Sequence, residues 1–154
     1  MSVAPVPMLQ MVARQIPVGD IAGPTCVVLT AHDIDAMMEL VALTKPGPFE
    51  ARTLQLGTYL GLREGGRLLA MAGERLRVPG YVELSAICTH PEARGRGLAA
   101  YLCRLLMLAA ADRREVPFLH VRPENPAAEL YRRLGFEVRR QLWVLWRKPV
   151  AESA

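Results

Sequence analysis

Cysteine is scarce in this 154-residue chain. Cys26, Cys88 and Cys103 are odd in number and widely spaced, with no C-x-x-C pair. That argues against a disulfide framework and against a cysteine zinc site. His32, His90 and His120 offer no metal-ligand spacing either, so no metal is expected. Long apolar runs are missing. Arg104 interrupts the best one, residues 98–111, which leaves nothing of membrane length. The first fifteen residues carry Pro5 and Pro7 and no positive charge before Arg14, unlike a signal peptide. The expectation is a reduced, cytoplasmic protein with no membrane partner. Lysine is nearly absent: only Lys45 and Lys148 stand beside the arginines. The net charge of +4 favours anionic partners, but it is too weak a field to indicate nucleic acid.

What is present is globular. Hydrophobic residues make up 51% and charged residues 22% of the chain, as in ordinary soluble domains. A chain of this mass buries roughly 69% of its surface on folding, enough for a core without staples. Residues 1–24 are weakly patterned, with a candidate edge strand at 8–14. Residues 25–149 read as one domain and 150–154 as a tail. A strand at 26–29 precedes a helix at 33–43, where Ile34, Met37, Met38, Val41 and Ala42 share a face. Thr44-Lys45-Pro46-Gly47-Pro48 stops that helix, and Phe49 should tether the loop that follows. Strands at 58–63 and 67–77 form a hairpin around Glu64-Gly65-Gly66, and a third spans 81–89. Then come a helix at 97–113, a strand at 116–121, a helix at 126–134 closed by Gly135, and a strand at 136–147. A meander followed by βαβαβ implies an α/β fold, with a mixed sheet flanked by helices.

One stretch carries most of the chemistry. Strand 81–89 runs through His90-Pro91-Glu92-Ala93 into Arg94-Gly95-Arg96-Gly97 and then into a helix. The first N–H groups of a helix lack intrahelical partners, and the dipole adds positive potential there. Glycines let the backbone approach a ligand, so this turn suits a pyrophosphate. Gly95-x-Gly97-x-x-Ala100 also fits the dinucleotide fingerprint. That motif needs a strand feeding directly into the glycines, with most of the sheet built after them. Here three strands come first and little chain follows. A purely structural glycine turn is the third reading.

Arg94-x-x-Gly97-x-Ala99 resembles the R/Q-x-x-G-x-G/A motif of the GNAT superfamily, the acetyl-CoA-dependent N-acetyltransferases. The segment from Asn125 through Ala128 and Tyr131 to Gly135-Phe136 resembles that superfamily's N-x-x-A-x-x-x-Y-x-x-x-G-F pattern. The resemblance covers roughly residues 25–147. It implies a mostly antiparallel sheet of six to seven strands, splayed between the fourth and fifth, with acetyl-CoA as co-substrate in the gap. It implies that Ile87, Cys88 and Thr89 hold the pantetheine arm and acetyl group through their backbone. The N–H groups from Gly95 through Arg96, Gly97 and Leu98 to Ala99 would cradle the pyrophosphate after Arg94. Asn125 would hydrogen-bond the cofactor, and Tyr131 would point at the sulfur.

The expected reaction is direct attack of a primary amine on the thioester through a tetrahedral intermediate, with a backbone N–H stabilising the oxyanion. Tyr131, with an ordinary pKa of about 10, would protonate the leaving thiolate; otherwise it is a core aromatic. Two residues are candidates for the base. Glu83 lies eleven residues before Arg94, where some superfamily members carry a glutamate base. Partial burial in an apolar strand would raise its pKa, and the alternative is a carboxylate paired with Arg75 or Arg77. His120 lies five residues before Asn125, where ribosomal-protein-type members carry a glutamate, and an imidazole pKa of about 6.5 suits a base. Cys88 and His90 are expected to be bystanders.

The acceptor could be a small amine, a peptide N-terminus or a protein lysine, and Glu74 and Glu83 are candidates for an acidic lining. Helix 97–113 is apolar nearly all round, from internal packing or a homodimer contact. Two departures from the superfamily concern the acceptor side: one helix precedes the second strand instead of two, and the expected seventh strand is missing. Residues 8–15 would supply a missing edge strand, or the chain is a shortened relative. The rival functions are a non-catalytic acetyl-CoA sensor and a phosphate-backbone binder using Arg94, Arg96, Arg132 and Arg133. The latter lacks a recognition helix and interleaved aromatics.

Overall fold

A computed structural model describes residues 4–145. The expected end of the last strand at 146–147 and the tail 150–154 lie outside them. Seven strands form one sheet in the order β2-β3-β4-β5-β6-β1-β7. They are β1 (Val6–Ala13), β2 (Cys26–Val28), β3 (Tyr59–Glu64), β4 (Arg67–Val78), β5 (Tyr81–Thr89), β6 (Val116–Val121) and β7 (Phe136–Val144). All pairings are antiparallel except β5 with β6. The helices are α1 (Ile34–Thr44), α2 (Leu98–Asp112) and α3 (Ala127–Arg133).

The two faces of the sheet carry separate cores. Met71 of β4 packs with Met37 and Leu40 of α1, and with Phe49 and Tyr59. Its neighbours Ala70 and Ala72 pack with Leu102, Leu106 and Met107 of α2. Side chains alternate along a strand, so α1 covers one face and α2 the other. Tyr131 and Leu134 of α3 join the α2 core. Phe49 does anchor its loop: it is buried against Tyr59, with ring centroids 5.6 Å apart.

Local chemistry sets the ends of the helices. Thr30 and Asp33 form a reciprocal capping box before α1, and Lys45 ends that helix in a left-handed conformation just before Pro46. Gly97 opens α2 with φ 73°, and no side chain caps it. Gly135 ends α3 with φ 99°. A Cβ there would lie 2.9 Å from Gln15 Cβ and 3.0 Å from its carbonyl oxygen. The Gly135 carbonyl accepts from Arg14 and Gln15 N–H, which ties the start of the chain to the end of α3.

That tie bears on a correction. Residues 8–14 were expected at a sheet edge, but β1 lies inside the sheet between β6 and β7. Leu9, Met11 and Ala13 face the α2 core, and both flanks of the strand find ladder partners. Pro7 lies outside the stretch paired with β6, Leu9–Val12, so its missing N–H interrupts no β6 ladder bond. Which strand pairs with which is decided by tertiary contacts, and no periodicity in β1 encodes it.

Candidate functional site

The sheet forks where the motifs converge. β5 and β6 pair only through Tyr81–Val116, Val82–Pro117 and Glu83–Phe118. Counted from residue 26, these are the fourth and fifth strands, which the resemblance expected to splay. Beyond Glu83 the inner edge of β5 has no β6 ladder partner. Unpaired strand groups recognise extended ligands by continuing the ladder.

A bulge sits at the fork. Cys88 pairs with Met71 and Ser85 with Gly73, which leaves two β5 residues opposite Ala72. One of them, Ala86, has φ 53°, a sterically costly conformation for an L-residue. The bulge flips the alternation: Leu84 belongs to the α2 core, while Ala86 and Cys88 belong to the α1 core. Bulges re-aim groups in this way beside functional sites.

A cleft of about 910 Å³ opens at the fork. Glu83, Ile87, Cys88, Thr89, Arg94, Ala99, His120, Asn125 and Tyr131 all line it, as does the loop from Thr44 to Pro48. Gly95, Arg96, Gly97 and Leu98 do not. Gly95 and Gly97 have φ 79° and 73°, so glycine is needed there for its backbone conformation. A Cβ on either would meet nothing within 4 Å. Arg96 pairs with Glu64 at 2.8 Å, and Leu98 is buried in the core. The side chain of Asn125 accepts from Ala127 N–H at 2.9 Å and so orders the start of α3.

Glu83, His120 and Tyr131 approach the fork differently. Leu84, Leu119 and Val121 face the α2 core, so Glu83 and His120 point to the α1 side. Tyr131 comes from α3 on the α2 side and is 7% exposed. Burial pushes its hydroxyl pKa well above the ordinary 10 expected from the sequence, and negative charge on Cys103 or Cys88 would add to the rise. The phenol is therefore protonated at neutral pH.

Glu83 is 2% exposed. Arg75 clamps it with two bonds, Nε to Oε2 at 3.1 Å and Nη2 to Oε1 at 2.8 Å. His120 Nδ1 lies 2.9 Å from Oε1. Burial alone would raise this carboxyl, but the hydrogen bonds from His120 and Arg75, with the guanidinium charge, hold it below its ordinary value. This reverses the sequence expectation of a raised glutamate, because the partners that stabilise the ion come from other strands. Of the two expected partners, Arg75 pairs with Glu83, while Arg77 bonds to Glu74 and Glu115.

On its other side His120 Nε2 lies 3.2 Å from Gln10 Nε2, and Gln10 Oε1 accepts from Arg139 Nη1 at 2.6 Å. Arg139 thereby fixes the Gln10 amide with its NH2 towards His120. The tautomer that satisfies both contacts carries its proton on Nδ1 and its lone pair on Nε2. Arg75, Glu83, His120, Gln10 and Arg139 thus form one hydrogen-bonded row across β4, β5, β6, β1 and β7. Gln10, Arg139 and the Ala86 bulge were not legible in the sequence. A lone glutamine in an apolar strand carries no signal until its neighbours are known.

Two further expectations change. Glu74 does not line the cleft. It is buried beneath Arg77 and Arg113, with contacts of 2.9 and 2.7 Å, because its neighbour Arg75 takes the other face. Among the described residues lining the cleft the acid is Glu83, against Lys45, Arg75, Arg94 and Arg122. Of the two acids expected to line it, Glu83 does and Glu74 does not. Burial pushes the Cys88 thiol up to about 11, so at neutral pH it is a weak nucleophile.

The comparisons agree with this architecture. The FR47-like protein family model matches residues 59–144. A Novosphingobium aromaticivorans protein assigned to the GNAT family of acetyltransferases is 44% identical with a TM-score of 0.84. The match covers 92% of this chain and 63% of that one. The Escherichia coli ribosomal-protein-S18-alanine N-acetyltransferase is 25% identical with a TM-score of 0.64, over 73% of this chain and 77% of its own. A GNAT-family acetyltransferase of Colwellia psychrerythraea, 18% identical with a TM-score of 0.72, shares the fold over 90% of this chain and 54% of its own. No curated protein matches by sequence. Among the described residues no helix is long and apolar enough to cross a membrane, and no cluster of side chains could hold a metal ion.

Proposed function

The chain belongs to the GNAT family of acetyltransferases, and on that premise we propose that it moves an acetyl group from acetyl-CoA to a primary amine. The observation that carries this reading is the fork. It leaves the inner edge of β5 unpaired beyond Glu83, with the Glu83–His120 pair on one side and Tyr131 on the other. The residues fit the donor. The unpaired β5 edge suits a pantetheine arm, and the uncapped start of α2 suits a pyrophosphate beside Arg94.

Acetyl-CoA supplies a thioester, whose carbonyl carbon bonds to the amine nitrogen as the C–S bond breaks. His120 takes the amine proton at Nε2 once the Gln10 carboxamide yields that position. Glu83 holds the ring through Nδ1 and balances the imidazolium that forms, so Glu83 positions the base and His120 is the base. The N–H groups of β5 beyond Glu83 stabilise charge developing on the carbonyl oxygen. Tyr131 holds the proton that the departing sulfur takes. The Escherichia coli relative is named for acetylating an alanine, which supports nitrogen as the acceptor atom and says nothing about which amine.

Thermal unfolding with acetyl-CoA, desulfo-CoA and NAD tests the donor. A ligand at 100 times its dissociation constant adds about 2.7 kcal/mol, a readily measured shift. Stabilisation by the CoA compounds and not by NAD is expected. No shift with either CoA compound would overturn the reading.

A further inference from the structure

Resting on that reading, we propose that the acceptor is an amine carrying a carboxylate a few bonds away, as in an α-amino acid. The carboxylate would be received by Arg139 while the amine meets His120. The argument begins with what Gln10 does. One end of its carboxamide donates an N–H towards the lone pair of His120 Nε2 at 3.2 Å. The other end accepts from Arg139 Nη1 at 2.6 Å. An α-amino acid presents the same pair of groups at similar spacing, an N–H donor and an oxygen acceptor. It can replace both contacts at once when the Gln10 side chain swings aside. Gln10 is only part-buried, on the sheet face opposite the α2 core.

The charges along the row set the direction. Glu83 lies on one side of His120 and would repel a carboxylate. Arg139 lies on the other and makes no ion pair among the described residues. Arg75 is already neutralised by its two bonds to Glu83. The cleft residue Lys45 adds positive potential, while Arg122 lies 4.0 Å from the carboxylate of Glu124. A second ammonium on the acceptor would therefore find no counter-charge. Arg139 owes its aim to a backbone irregularity. Gln10 pairs with Arg140 and Met11 with Val138, so Arg139 is the extra residue of a bulge in β7, and such bulges re-aim side chains.

The test compares matched pairs of acceptors at saturating acetyl-CoA: alanine with ethylamine, leucine with 3-methylbutylamine, phenylalanine with phenethylamine. Free-thiol release gives kcat/KM. Charge-assisted bonds to a guanidinium should favour the amino acid of each pair by about 10- to 100-fold. Arg139→Gln, at an exposed position, should bring that ratio towards one while stabilisation by acetyl-CoA persists. Equal rates for the members of each pair, or a ratio unmoved by Arg139→Gln, would overturn the proposal. So would faster acetylation of peptides that begin with the same residues, because a carbonyl and not a carboxylate would then be the recognised group. Thermal unfolding with CoA plus alanine, leucine or phenylalanine supplies a readout independent of turnover. A shift beyond that of CoA alone, absent with the matched amines, is expected, and its absence for every amino acid would also overturn the inference. In each case a retained CoA shift leaves the donor reading standing, whereas its loss would remove that reading first.

Discussion

His120 Nδ1 sits 2.9 Å from the Oε1 of Glu83, a carboxylate that is itself almost wholly buried and clamped by Arg75. The pair joins two strands just where their ladder ends. An imidazole held this way has one nitrogen committed and one lone pair directed outward, as a base requires.

The two residues should therefore fail differently. His120→Ala removes the base and should lower kcat by about 10²- to 10⁴-fold. Glu83→Gln keeps an acceptor for Nδ1–H but loses the charge that balances the imidazolium, so its loss should be smaller and should come with a shifted acid limb of the pH profile. Acetyl-CoA affinity, read by thermal shift, should be unchanged in His120→Ala. Equal losses with an unshifted profile would contradict the division of roles.

Glu83 should also couple stability to pH. Its carboxyl is held below the ordinary 4.5 in the folded state. The stabilisation is thus present above 4.5 and is lost as pH falls through the folded value. Glu83→Gln should be less stable than the parent at pH 7, and the gap should narrow below 4.5. Denaturant unfolding at pH 7, 5 and 3 measures it; a constant gap would mean that the carboxylate is not held as described.

Tyr131→Phe should retain stabilisation by acetyl-CoA and lose most turnover. Burial holds the phenol protonated, so it carries its proton at neutral pH. Stopped acetyl transfer with intact donor binding supports the acid role, and unchanged kcat removes it.

Cys88 should be dispensable. Burial pushes its thiol up to about 11, so at pH 7 roughly one molecule in ten thousand holds a thiolate. Cys88→Ala should keep kcat within a few-fold, and Cys88 in the folded protein should resist alkylation by iodoacetamide. An acetylated Cys88 trapped during turnover would show that transfer is not direct.

Ala86→Val should cost about 2 kcal/mol or more and weaken acetyl-CoA binding. A β-branched side chain at φ 53° is a strained outlier, and the site is 4% exposed. Ala86→Gly relieves the strain and should bind acetyl-CoA as the parent does. Calorimetry and thermal shift on both variants separate strain from packing.

The local sequence was enough for the secondary structure and half of the site. β5 and β6 fall on the residues their apolar patterns marked, and the helix ends fall within a residue or two of their stop signals. The glycine-rich turn and the Asn125–Phe136 segment marked the proposed donor side because those features are written in contiguous residues: backbone conformations, a helix start, a tyrosine one helix away. The proposed acceptor side is different. Its row takes one side chain from each of five strands, and its order depends on β1 entering the sheet between β6 and β7. Gln10 and His120 are 110 residues apart in the chain, and no periodicity relates them. The sequence could name Glu83 and His120 but not the sign of the glutamate's pKa shift. Burial and ion pairing push a carboxylate in opposite directions, and which one wins depends on neighbours that only the folded sheet supplies.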